Sequence, residues 1–327
     1  MEKKKWTVYI PEILPPPEPQ LKILGDMAEI QTGRPKDEAD LIAKVGAADA
    51  VLVLSRTPIT RRIIEASPRL RMIGKYGVGV EGIDIEAATE KGILVANCPG
   101  MNCSAVAELT IGLMLAAMRH IQRAKTYIAQ GGWLDASLLG GELLDSRVGI
   151  VGYGEIARCL IRKLQGFDLK EILLFTESKR NDKPEFANVR MTDLPTLLQE
   201  SDIVSIHKSL TPRSKGLIGK NEIARMKKTA YLINTSRGSL IDEAELIKAL
   251  REQRIAGAAL DVFEQEPLAP DHPLLSLDNA VLTPHMGGSS SATRVRMVTV
   301  AAQNVADFLK GKRLDPRNVR NPEIYKP

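Results

Sequence analysis

The sequence predicts an α/β protein built from two doubly wound parallel-sheet domains, and three observations lead there. Short β-rich runs alternate with helical patterns almost from end to end, the mark of parallel strands joined by crossover helices. At 327 residues, the chain holds about two domains of roughly 150 residues each. A Gly-rich strand-to-helix turn at 152–157 also opens a second α/β series in mid-chain.

In chain order, the first series reads as strands over 7–10, 50–54, 71–75 and 93–98, with helices near 37–45, 60–67 and 85–91. The prolines at 15–17 and 19 mark a turn. A long helix is expected over 104–120, where Val106, Ile111, Met114 and Leu115 leave few polar positions to face water. Burial on several sides is expected there, as an interdomain or subunit contact. The second series starts at Arg147 and continues through strands near 172–175, 203–207, 230–234, 258–261 and 281–283, with a final helix over about 290–310.

Composition narrows the function classes. With 44% hydrophobic and 26% charged residues, the chain can bury sizeable cores, which excludes disorder and fibrous repeats. The longest apolar stretch, 109–118, is too short to cross a bilayer. The apolar run behind the N-terminus stops at Pro11, short of a secretory signal. The three cysteines, Cys98, Cys103 and Cys159, form no CxxC pair, so reduced thiols in a cytoplasmic protein are expected, with no metal site. The net charge of +5 is scattered and only 4% of residues are aromatic, which suits a small anionic substrate rather than nucleic acid.

The strand 148–151 runs into Gly152-Tyr153-Gly154-Glu155-Ile156-Ala157, a GxGxxA turn followed by a helix that Gly166 can end. Gly152 permits the tight turn, Gly154 lets backbone approach a pyrophosphate, and Ala157 allows close helix-to-strand contact. The helix N-terminus offers unpaired N–H groups to the anion. The next strand delivers Thr176 and Glu177 about twenty residues on, where an acid holds the adenosine ribose hydroxyls. Glu177 favours NAD over NADP because its charge repels a 2′-phosphate; Lys179 and Arg180, which follow closely, act the other way.

Three segments at predicted strand ends carry polar residues that a core does not need: 235–238, 261–267 and 283–288. The carboxyl ends of strands line the ligand crevice in open α/β sheets, so these segments are expected to converge. Arg237, Glu266 and His285 would then suit hydride transfer to or from a 2-hydroxy acid. The Arg binds the substrate carboxylate or carbonyl oxygen, the His exchanges the hydroxyl proton, and a carboxylate on the far ring nitrogen orients the ring.

Five blocks in order carry a family resemblance: 77–84, 97–108, the Gly152 turn, 234–242 with 261–267, and 283–289. On these the chain resembles the D-isomer-specific 2-hydroxyacid dehydrogenases over nearly its whole length. The resemblance implies a Rossmann cofactor domain (100–287) inserted into a flavodoxin-like substrate domain made of 1–99 and 288–327. It implies that Arg237, Glu266 and His285 are catalytic and that Val78 and Gly79 offer N–H groups to the substrate carboxylate. It places Asp261 at the nicotinamide carboxamide, Thr235 and Ser236 along the nicotinamide ribose, and Gly287 within the cofactor site. A homodimer is implied as well, with helix 104–120 suited to that contact.

The chain also departs from the family's pattern. Lys208-Ser209 stands where an apolar residue and Pro are usual. Leu54 replaces the Arg that meets the phosphate in phosphoglycerate-oxidising members, although Ser55 and Arg56 remain as substrate-binding candidates. The chain ends near its last helix, without the regulatory C-terminal domain of some of those members. The expected activity is thus NAD-dependent interconversion of a small 2-hydroxy and 2-keto acid, of glyoxylate or hydroxypyruvate type, with NADP as the alternative cofactor. A short-form D-3-phosphoglycerate dehydrogenase and a non-catalytic, NADH-sensing corepressor-like protein are the rival readings.

Overall fold

The computed structural model describes residues 5–11, 18–53, 57–177 and 186–325. They fall into two units, one of Met1–Asn102 with Ser290–Pro327 and one of Cys103–Ser289.

The first unit holds β1 (Trp6–Ile10), β2 (Ala28–Thr32), β3 (Ala50–Val53), β4 (Met72–Lys75) and β5 (Leu94–Ala96). All pair in parallel, in the order β2-β1-β3-β4-β5, which is the flavodoxin-like order. β3, β4 and β5 are buried along their whole length, as strands covered on both faces must be. The sequence reading passed over β2, an edge strand whose middle and end are largely exposed. The helix Ser291–Leu309 returns to this unit and packs Val298, Ala301 and Val305 into a core with Val8, Leu52 and Met72.

The second unit holds β6 (Arg147–Val151), β7 (Glu171–Phe175), β8 (Val189–Met191), β9 (Ile203–Ile206), β10 (Tyr231–Asn234), β11 (Gly257–Leu260) and β12 (Ala280–Leu282). Its parallel sheet runs β12-β11-β10-β9-β6-β7-β8, the Rossmann arrangement. The order reverses between β6 and β9, which puts the switch point at the turn after β6. β8, also missed in the sequence, is the other edge strand.

Helix starts follow side-chain chemistry. Asp37, Asp84, Asp193, Asp242 and Ser290 each accept a hydrogen bond from a backbone N–H in the first turn of the helix they precede. The helix Glu155–Leu164 starts instead at Gly154, which has no side chain to do so. It runs on into a 3-10 turn at Gln165–Phe167, and the left-handed residue that closes it is Asp168 rather than the expected Gly166.

The long helix spans Cys103–Met118 and breaks at His120, whose φ is 54°. Within its own unit Ala107, Leu113, Met114, Ala117 and Met118 share a core with Val148, Ile150, Leu160 and Ile161, while Leu109, Ile111, Leu115 and Ala116 are only partly buried. The exposed apolar surface lies just beyond it, at Ile121, Ile128, Trp133, Leu134, Leu139 and Leu144. Among the described residues, no single helix is long and apolar enough to cross a membrane.

Candidate active site

The turn after β6 is shaped for close approach. Gly152 has φ +102°, and a Cβ there would stand 2.6 Å from the His207 carbonyl oxygen and 2.9 Å from the Lys208 nitrogen. Only glycine fits, because the end of β9 lies directly against it. At Gly154 a Cβ would meet nothing within 4 Å, so the first turn of Glu155–Leu164 opens onto free space. Ala157 is fully buried, where a larger residue would push the helix away. The Arg158 guanidinium stacks on the Tyr153 ring at 4.0 Å and adds positive charge at the helix start. Glu155 is exposed and Ile156 half-buried. Uncapped amides, an open cradle and a cation together fit an anionic pyrophosphate.

Thr176 and Glu177 follow β7, and the Glu177 carboxylate receives the Lys208 ammonium. That ammonium holds the Glu177 carboxyl below the usual carboxylate range, with a smaller contribution from Arg213.

The three loops at the ends of β10, β11 and β12 interlock. Asn234, fully buried, holds the first: its Nδ2 donates to the Arg237 carbonyl at 2.9 Å and its Oδ1 accepts from Ser236 N at 3.0 Å. A Cβ on Gly238 would lie 1.9 Å from the Phe263 carbonyl carbon, so the first and second loops touch backbone to backbone. Glu266 then joins the second loop to the third. Its Oε1 accepts from Phe263 N at 3.1 Å, and its Oε2 accepts from His285 Nδ1 at 2.7 Å.

Asp261 fixes the third loop. Buried to 1% exposure, its carboxylate accepts from Thr283 Oγ1 at 2.6 Å, Met286 N at 2.8 Å and Gly287 N at 2.7 Å. These bonds bracket His285, whose φ of 52° is uncommon for a residue with a side chain. With Nδ1 donating to Glu266, Nε2 is left as the ring atom with no protein partner among the described residues. The His285 side chain is half exposed. The Arg237 guanidinium donates from Nη1 to the Ser236 carbonyl at 2.7 Å.

In the first unit, the loop after β4 carries Val78 and Gly79, both half-buried. The buried Asn97 donates from Nδ2 to the Val78 carbonyl at 2.5 Å, and Cys98 N donates to the Gly77 carbonyl at 2.9 Å. Both bonds hold the loop by its carbonyls.

Comparison with known proteins identifies the family. Residues 111–287 match the family model described as D-isomer specific 2-hydroxyacid dehydrogenase, NAD binding domain. A glyoxylate reductase of Thermofilum pendens is 41% identical over 98% of this chain and 95% of its own length. The chain belongs to the D-isomer-specific 2-hydroxyacid dehydrogenases. A D-3-phosphoglycerate dehydrogenase of Methanocaldococcus jannaschii is 39% identical over 90% of this chain, which spans only 56% of that relative. The structure of a D-lactate dehydrogenase from Aquifex aeolicus complexed with NAD and lactic acid superimposes with a TM-score of 0.83, at 25% identity, covering 96% of this chain and 98% of that one.

This 2-hydroxyacid dehydrogenase is an oxidoreductase with a nicotinamide-cofactor domain, and the residues at the Gly152 turn fit that group. Four of the residues named by the resemblance make contacts within the protein. The Thr235 hydroxyl is buried against Thr110: since Thr110 Oγ1 donates to the Val106 carbonyl at 2.7 Å, Thr235 is the donor in their 2.9 Å contact. Ser236 Oγ donates to the Lys208 carbonyl at 2.7 Å. Asp261 and the Gly287 amide bind each other. All four brace the dehydrogenase's loops. Ser55 and Arg56 lie outside the described residues. The sequence reading gave no role to Asn234, Asn97, Thr110 or Arg158. Arg158 was signalled by its place one helical turn after Gly154 and Asn234 by its place at the end of β10, next to the loop it holds; Asn97 and Thr110 act through contacts between distant segments.

Proposed function

We propose that the chain reduces a small 2-keto acid of the glyoxylate or hydroxypyruvate type to the D-2-hydroxy acid, with NADH as the preferred nucleotide. The observation that carries this reading is the 2.7 Å contact between His285 Nδ1 and Glu266 Oε2. It fixes one ring nitrogen as donor to a carboxylate and leaves the other to exchange a proton. The reduced nicotinamide, when bound, supplies the electron pair as a hydride. His285 Nε2 holds the proton that the substrate oxygen takes up. Glu266 orients the ring and stabilises its charged form. Arg237, pinned through its own carbonyl by Asn234, offers a guanidinium to the substrate carboxylate or to negative charge developing on the oxygen. In the first unit, Val78 and Gly79 are the candidates to present backbone N–H groups to an anion. Glu177 supports NAD over NADP, since a carboxylate there repels a 2′-phosphate.

The reading includes a homodimer and a cytoplasmic location. Trp133, Leu134 and Leu139 are 78%, 80% and 82% exposed, and neighbouring exposed apolar residues of this kind mark interaction sites. A second copy of the chain is the proposed occupant. The three cysteines, unbridged although Cys103 and Cys159 lie side by side, support a reducing compartment.

The test is a panel of glyoxylate, hydroxypyruvate, pyruvate and 3-phosphohydroxypyruvate, each with NADH and NADPH, followed by absorbance. Turnover of the first two supports the proposal. Preference for the phosphorylated acid moves it to phosphoglycerate chemistry, and tight NADH binding without turnover of any acid overturns it.

A further inference from the structure

The turn that receives the cofactor's pyrophosphate has a charged residue on each side of it. In the sheet, Val151 pairs with Phe175 on one side and Ile206 on the other. Thr176-Glu177 and His207-Lys208 therefore leave the sheet at the same level, flanking Gly152. Lys208 is anchored through its backbone: its nitrogen walls the Gly152 turn, and its carbonyl accepts the Ser236 hydroxyl. Its side chain crosses to Glu177, although the two residues are 31 positions apart in sequence. Lys208 is the enclosed member of the pair, 19% exposed against 64% for Glu177.

A lone carboxylate at the end of the second strand of a dinucleotide unit accepts hydrogen bonds from the ribose hydroxyls and repels a 2′-phosphate. Glu177 does not stand alone. The ammonium on it offsets its charge and puts a cation within reach of any group that meets the carboxylate. We propose that Lys208 is a specificity residue, which neutralises Glu177 at the adenosine-ribose position and lets this chain accept the 2′-phosphorylated nucleotide alongside the unphosphorylated one. This rests on the reading of the Gly152 turn as the cofactor site. It also gives a purpose to a lysine where relatives are expected to carry an apolar residue.

The experiment measures dissociation constants for NADH and NADPH from nicotinamide fluorescence, with no keto acid present, for the wild-type chain, Lys208→Gln, Glu177→Gln and the double variant. In wild type the two constants are expected to lie within about tenfold of each other, with NADH the tighter. Lys208→Gln should leave NADH within about threefold and weaken NADPH by about tenfold or more, an effect that shrinks as salt is raised. Glu177→Gln should move the ratio the other way. If wild type binds both nucleotides and Lys208→Gln leaves their ratio unchanged, the role of Lys208 is overturned while the cofactor site stands. If wild type binds neither nucleotide, the cofactor site falls and this proposal with it. Circular dichroism melts of all four proteins should coincide within a few degrees, because an ion pair this exposed adds little to stability.

Discussion

Asp261 holds His285 in a left-handed backbone conformation without touching its ring. The carboxylate takes hydrogen bonds from residues on both sides of the histidine, so the imidazole's direction is set from beneath. In Asp261→Asn, an amide N–H2 would face either the Thr283 hydroxyl and Met286 amide or the Gly287 amide, and donors would oppose donors. We expect kcat to fall about a hundredfold from a misplacement of an ångström or less, with about 1–3 kcal/mol lost from stability. Paired kinetics and urea unfolding check this; near-wild-type kcat would show that the loop holds its shape without the carboxylate.

The proton-transfer assignment separates His285 from Arg237. His285→Ala should lower kcat by about 10²–10⁴-fold while NADH affinity changes little. Arg237→Ala should lower kcat and also raise the KM of the keto acid, because it removes a partner of the substrate itself. Glu266→Gln should resemble a milder His285 variant, since the ring keeps a neighbour but loses the charge that favours its protonated form. Equal, small losses across all three would contradict these roles.

The exposed apolar residues around Trp133 and Leu139 predict an oligomer that comes apart cleanly. Trp133→Asp combined with Leu139→Asp should weaken self-association at least about a hundredfold and leave far-UV circular dichroism unchanged, since neither side chain is buried in its own unit. Light scattering over a concentration series reads the outcome. A dimer that persists in the double variant would locate the contact elsewhere.

His207 makes part of the stability depend on pH. Burial pushes its imidazole down to about 4, below the roughly 6.5 of an unfolded histidine. Protons therefore bind the unfolded chain more readily between these values. The His207 contribution is fully present above about pH 6.5 and is lost as pH falls towards 4, up to on the order of 3 kcal/mol. The neighbouring Ser205 shares a hydrogen bond with Nε2 at 2.8 Å, a position that a Gln amide can reach. Unfolding free energies of His207→Gln should fall less steeply than wild type between pH 6.5 and 4; parallel curves would remove the histidine from the account.

What the sequence discloses here depends on whether the signal is local. The Gly152 turn, the buried central strands and the polar residues at strand ends are each written in a few consecutive positions. β2 and β8 are not, because an edge strand is paired on one side only and tolerates the polar residues seen in Ala28–Thr32 and Val189–Met191. Asp168 closes a helix where Gly166 was the obvious candidate, because the last turn tightens and shifts the left-handed position by two residues. The hydroxyls of Thr235 and Ser236 each make a contact that the sequence does not announce. Their partners, Thr110 and Lys208, come from other segments, and no spacing rule connects them.

The Gly238 backbone lies so close against Phe263 that the arginine-bearing and glutamate-bearing loops form one solid piece, which Glu266 extends to the histidine. The Val78–Gly79 loop belongs to the other folding unit, where the Asn97 side chain holds it. Substitutions in the 77–79 loop should therefore leave the arrangement of Arg237, Glu266 and His285 unchanged.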